Sequence, residues 1–115
     1  IAMTRYYEVL KKGGTLRIAV PDMEAHFAHY FYFRDLEALH SALWGSQRHP
    51  YDYHLNGWDF DKIKRDLELV GFTNVRKYDW RKTEHFHIDD YSQAYVPHMD
   101  KINGKLMSLN IEATK

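Results

Sequence analysis

Apolar and polar positions change their period several times along the chain. Met3, Tyr6, Tyr7 and Leu10 recur at i, i+3, i+4 and i+7, which predicts an amphipathic helix up to about Lys12. From Thr15 to Val20 the period drops to two: Leu16, Ile18 and Val20 alternate with Thr15, Arg17 and Ala19, as a strand requires. Gly13-Gly14 separates the two elements. Gly13 can take the left-handed conformation that closes a helix, and Gly14 allows a tight reversal. Lys11 and Lys12 are expected in the last helical turn, where cations suit the negative end of the helix dipole. Pro21 has no amide donor, so regular pairing should stop there.

Asp22 is a good N-cap for a helix from Met23, with Phe27, Tyr30 and Phe31 on one face. Asp35 can cap a further helix carrying Leu36, Leu39 and Leu43, ended by Gly45. Residues 46–57 read as a polar, aromatic loop. Asp59 then caps a clear helix whose stripe is Phe60, Ile63, Leu67 and Val70, and Gly71-Phe72 is its stop signal. Asn74 to Trp80 is predicted to be a strand. Residues 81–105 show little periodicity, and such a long connection in a small domain is usually functional or poorly ordered. Leu106 to Thr114 is the last predicted strand. Met107, Leu109, Ile111 and Ala113 share one face; Ser108, Asn110 and Glu112 share the other, which is expected to be exposed or at an interface. Strands 15–20 and 74–80 are joined through helices and should be parallel with a right-handed crossover, an α/β pattern.

Composition narrows the classes. The 115 residues suit one small domain or part of a larger one, and 44% hydrophobic and 16% aromatic content can supply a core. Sixteen basic and sixteen acidic residues cancel, so no overall field gathers nucleic acid or an anionic membrane. Cysteine is absent, which removes disulfides and thiolate chemistry. With no membrane-length apolar run and no visible signal peptide, a cytoplasmic location is expected. The chain opens on Ile1 with the helical pattern already under way, so the natural protein is expected to extend further N-terminally. The aromatic run Phe27 to Phe33 is accompanied only by Arg34, which favours a core or interface role over stacking on nucleic acid.

Glu8-Val9-Leu10-Lys11-Lys12-Gly13-Gly14-Thr15-Leu16-Arg17-Ile18-Ala19-Val20-Pro21-Asp22 resembles the helix, Leu-Lys-Pro-Gly-Gly turn and fifth strand of class I S-adenosylmethionine-dependent methyltransferases, with Lys12 where proline is common. Leu69-Val70-Gly71-Phe72-Thr73-Asn74-Val75 is similar to the approach to that family's sixth strand, and Leu106 to Ala113 to its seventh. Trp44-Gly45-Ser46-Gln47, Tyr53-His54-Leu55-Asn56-Gly57-Trp58 and Asp89-Asp90-Tyr91-Ser92 resemble a subgroup of predicted methyltransferases often associated with surface-polysaccharide biosynthesis. The likeness spans the whole chain but only the C-terminal half of the family's fold. It implies that residues 1–115 are a single partial domain of a Rossmann-like fold, a small mixed sheet of order 5-7-6 in the family's count, with the last strand antiparallel. The cofactor loop after the family's first strand has no counterpart here, since Gly13-Gly14 follows a helix. S-adenosylmethionine is therefore expected as the cofactor of the parent protein, with no tight binding to this chain.

By the same resemblance, ligands meet the carboxyl rim of the sheet. Asp22, Gln47, Tyr53, Asp89, Asp90 and Ser92 are the expected substrate-side residues, and His54 the candidate base for a small-molecule or glycan-precursor methyl acceptor. Read from the residues alone, His54 has an alternative role in pinning the 46–57 loop, and Asp22 fits an N-cap better than a catalytic acid. A rival constellation is His85-Phe86-His87-Ile88-Asp89-Asp90. On a strand, His85 and His87 would share a face and could meet a metal. It resembles the His-x-His-x-Asp-His motif of metallo-β-lactamase-like hydrolases, with Asp90 in place of the last histidine. The missing ligand and strand pattern argue against a resident metal. A non-enzymatic interaction module is the third reading. Self-association to a homodimer is expected, through the free edge of strand 15–20 or the 23–44 helices.

Overall fold

The computed structural model describes residues 2–44, 57–88, 90–97 and 99–115. Helix α1 (Ala2–Val9) leads through the Gly13-Gly14 turn into strand β1 (Thr15–Pro21) and helix α2 (Met23–Phe33). A 3-10 turn (Glu37–Leu39) and helix α3 (His40–Trp44) follow, then helix α4 (Phe60–Val70) and strand β2 (Thr73–Lys77). Two 3-10 turns (Trp80–Lys82 and Tyr91–Gln93) and a short hairpin of β3 (Tyr95–Val96) and β4 (Lys105–Leu106) precede strand β5 (Ser108–Thr114). The main sheet has the order β1-β5-β2, and β5 is antiparallel to both neighbours, so β1 and β2 run parallel to each other. The chain is thus a small mixed α/β fold with its last strand in the centre, in the order and direction expected for these three strands.

One face of the sheet carries the core. Leu16, Ile18 and Val20 stand opposite Ala113, Ile111 and Leu109, and α1, α4 and the residues just after them cover this face with Tyr7, Leu10, Ile63, Leu67 and Phe72. Asp59 caps α4 by accepting from the Lys62 amide at 2.8 Å, and Gly71 leaves the helix at φ +125°, which drops Phe72 into the core edge-on to Tyr7 at 5.1 Å. The C-terminus of α1 differs from expectation. The helix stops at Val9, before Lys11 and Lys12, and the cation at its end is Lys115, whose Nζ donates to the Leu10 carbonyl at 2.8 Å and to that of Tyr7. Tyr6, expected on the buried stripe, is exposed.

Helix α2 is rotated away from its expected phase. It buries Ala25, His26 and His29 and leaves Phe27, Tyr30 and Phe31 exposed. The rotation is fixed at its start, where the Asp22 amide donates to the Met107 carbonyl and the Met23 amide to the Trp58 carbonyl, each at 2.9 Å. With both bonds made, small Ala25 faces Leu39 and Met107 in a second buried cluster.

The second face of the sheet also departs from expectation. Ser108 and Asn110 are buried under the 3-10 turn Tyr91–Gln93 rather than left open. Strand β2 ends at Lys77, short of the expected Trp80: Asn74 at φ +50° starts an irregular register, and Asp79 caps the turn that follows. Among the described residues of 81–105, Gln93 ties the segment down, its amide donating to the Phe86 and Ile88 carbonyls at 3.1 and 2.7 Å, as does the Trp80 indole, which donates to the Tyr95 hydroxyl at 3.3 Å. No described helix is long and apolar enough to cross a membrane.

Candidate functional site

The carboxyl ends of β1 and β2 and the start of β5 meet at one rim of the sheet. A cleft of about 130 Å³ opens there, lined by Asp22, Lys77, Tyr78, Leu106, Ser108, Leu109 and Asn110. Asp22 enters it as the residue after β1, and its carboxylate accepts from the Glu24 amide at 3.1 Å, which makes it the α2 N-cap. Asn110 is 4% exposed; its Nδ2 donates to the Ser92 carbonyl at 2.8 Å, which fixes the amide orientation and leaves Oδ1 without a partner among the described residues. The Ser108 hydroxyl donates to the same Ser92 carbonyl at 3.0 Å. Burial raises the Tyr78 phenol above the usual value of 10.0, with the Ser92 side chain opposing that rise.

Behind Ser92 lies a polar layer on the second face of the sheet. The Asp90 carboxylate accepts from the Ser92 amide at 2.9 Å and from the Ser92 hydroxyl. Arg17, on β1, pairs with Glu112 on β5, donates to His85 Nε2 at 3.1 Å and lies over the Tyr78 ring at 5.1 Å. Arg76, on β2, approaches Glu112 at 3.6 Å from the other side. The Glu112 hydrogen bond holds the Arg17 guanidinium more firmly protonated, against the opposing effect of burial. Because His85 Nε2 accepts from Arg17, the ring proton sits on Nδ1, which faces the Thr83 hydroxyl at 3.3 Å and Asp90 at 3.8 Å. A cation at the base of the rim is therefore already matched by carboxylates, and the layer is suited to holding neutral polar groups in place.

Of the expected site residues, Asp90 and Ser92 are in direct contact, and Asp22 lines the cleft that they adjoin through Ser108 and Asn110. Gln47, Tyr53, His54 and Asp89 lie outside the described residues. Tyr78, Ser108 and Asn110 were not anticipated. The signal for the last two was present, since they are the first polar residues of β5 and face the end of β1. The His85–His87 reading loses its geometric basis because residues 84–88 form turns, not a strand. His85 is engaged by Arg17 and Thr83, His87 is exposed, and among the described residues no group of three histidines or acids is placed to hold a metal. Comparison with protein-family models, curated proteins and solved structures yields no match.

Proposed function

We propose that this chain is the acceptor-side half of a class I S-adenosylmethionine-dependent methyltransferase domain, with a Rossmann-like parent fold. The observation that carries the proposal is the sheet itself: a last strand antiparallel between two parallel strands, whose carboxyl ends share a rim with a polar cleft. Ligands of open α/β sheets bind at that rim. The acceptor, a small molecule or glycan precursor, would meet Asp22, Asp90 and Ser92, with Gln47, Tyr53 and Asp89 completing the site. His54 would take the acceptor's proton. A cytoplasmic location belongs to the same proposal.

The chain's described residues do not fit the cofactor. The Gly13-Gly14 turn lies at the far end of β1 from the rim, and the α2 N-terminus is occupied by the Asp22 carboxylate. What this half contributes is orientation of the acceptor and removal of its proton. Calorimetry of the chain with S-adenosylmethionine should give a dissociation constant of roughly 1 mM or weaker, about −4 kcal/mol. Tight, stoichiometric binding would overturn the half-domain proposal. In an enzyme joining this chain to a Gly-rich cofactor half, His54→Ala should lower turnover roughly a hundredfold and leave cofactor affinity unchanged. Equal losses of stability and turnover would assign His54 a structural role instead.

A further inference from the structure

We propose that the rim cleft binds a small hydroxy acid, with its carboxylate on Lys77 and its hydroxyls on Asp22, Ser108 and Asn110. The class follows from what the cleft leaves unmatched. Unlike Arg17, which is paired with Glu112, Lys77 forms no ion pair with Asp22 or with any other described carboxylate. The residue is exposed, and its ammonium lies over the Phe60 ring at 5.4 Å. A cation held beside a cleft by an aromatic face is open to an anion from solution.

The other polar side chains of the wall that bear on the ligand are acceptors. Asp22 accepts from the Glu24 amide through Oδ1 and has carboxylate lone pairs to spare. Ser108 gives its hydroxyl proton to the Ser92 carbonyl, so it offers a ligand lone pairs. Asn110 donates to the same carbonyl and keeps its Oδ1 without a partner among the described residues. A buried acceptor left unpaired costs free energy that a ligand donor recovers. One cation and three acceptors call for a ligand with one negative charge and several protons to donate. An ammonium also supplies protons, but Asp22 sits at the positive end of α2, which opposes a further cation there. Hydroxyls meet no such opposition. At about 130 Å³ the cleft has the liquid volume of roughly four waters, so it takes a compound of about three or four carbons or one end of a longer one. The inference deepens the acceptor-site reading and rests on it for the purpose of the cleft, while the binding itself needs no cofactor.

A nuclear magnetic resonance titration of the chain with glycerate should shift the Lys77 and Ser108 amides and saturate with a dissociation constant of about 1 mM. Glycerol lacks the acid and propionate lacks the hydroxyls, and each should bind at least about tenfold more weakly. Serine, whose ammonium replaces one hydroxyl, should also be weaker. Lys77→Met should weaken glycerate roughly tenfold and leave the circular dichroism unchanged. Asp22→Asn retains a capping side chain and should weaken it about threefold. If that variant fails to fold, the ligand series and Lys77→Met decide. The absence of saturable shifts by about 50 mM glycerate would overturn the proposal. So would glycerol, propionate or serine matching glycerate, or a Lys77→Met chain that binds it unchanged. No methyl donor takes part, so this result and the calorimetry with S-adenosylmethionine can each fail alone.

Discussion

His26 is 3% exposed, and its Nδ1–H donates to the Asp22 carbonyl at 2.7 Å. Burial holds its pKa below the ordinary 6.5, more strongly than Asp22 raises it, with His29 and Lys105 adding to the depression. The unfolded chain therefore binds this proton more readily than the folded one. The stability that depends on neutral His26 is complete above about pH 6.5 and is lost as pH falls through the depressed folded value. Urea unfolding at about pH 7.5 and 5.5 should show a lower midpoint in acid, and His26→Gln should flatten that difference. Asn110 makes a second test. Asn110→Ala removes one of two donors to the Ser92 carbonyl and should cost about 1–2 kcal/mol in unfolding free energy. The alternation of β5 showed Asn110 and Ser108 on a polar face. That this face is buried was not legible, because the turn that covers it comes from a segment with no period of its own.

At the level of elements, what local chemistry dictates was legible and what distant bonds dictate was not. The start and stop of α4 are set by Asp59 and Gly71, within a few residues of the helix they bound. Gly71→Ala should cost about 1–3 kcal/mol: φ +125° strains any side chain, and a Cβ would come 2.9 Å from the Tyr7 ring. A urea series with unchanged slope would check it. The phase of α2 is different in kind. Its eleven residues are apolar on nearly every side, so the sequence offers no stripe to choose, and the choice is made by the bonds of Asp22 and Met23 to Met107 and Trp58. The end of α1 was misread for a similar reason. Two lysines stood nearby in sequence, but Lys115 reaches its carbonyls from the other end of the chain. Lys115→Ala should lower stability by about 1 kcal/mol and speed hydrogen exchange at the end of α1.

For the whole molecule, the parallel course of β1 and β2 was legible because helices join them, whereas the last strand's place between them was suggested only by the family resemblance. The site residues expected within 46–57 were suggested only by resemblance, since that polar stretch carries no periodicity that would aim its side chains. The Arg17–Glu112–Arg76 layer becomes readable once the register is known: each is a charged residue on its strand's outer face. The central position of β5 has a consequence for how the protein is made. Among the described residues, β1 and β2 share no ladder with each other and both pair with β5. Thr15 must wait for Thr114, and Leu16 for Ala113. On the ribosome, both outer strands emerge long before the strand that unites them, and each is an unpaired edge in the meantime. Nascent chains arrested before Ser108 clears the exit tunnel should stay open to protease throughout β1 and β2. Chains arrested after Lys115 has cleared it should become resistant in one step, so the sheet forms only once β5 has emerged.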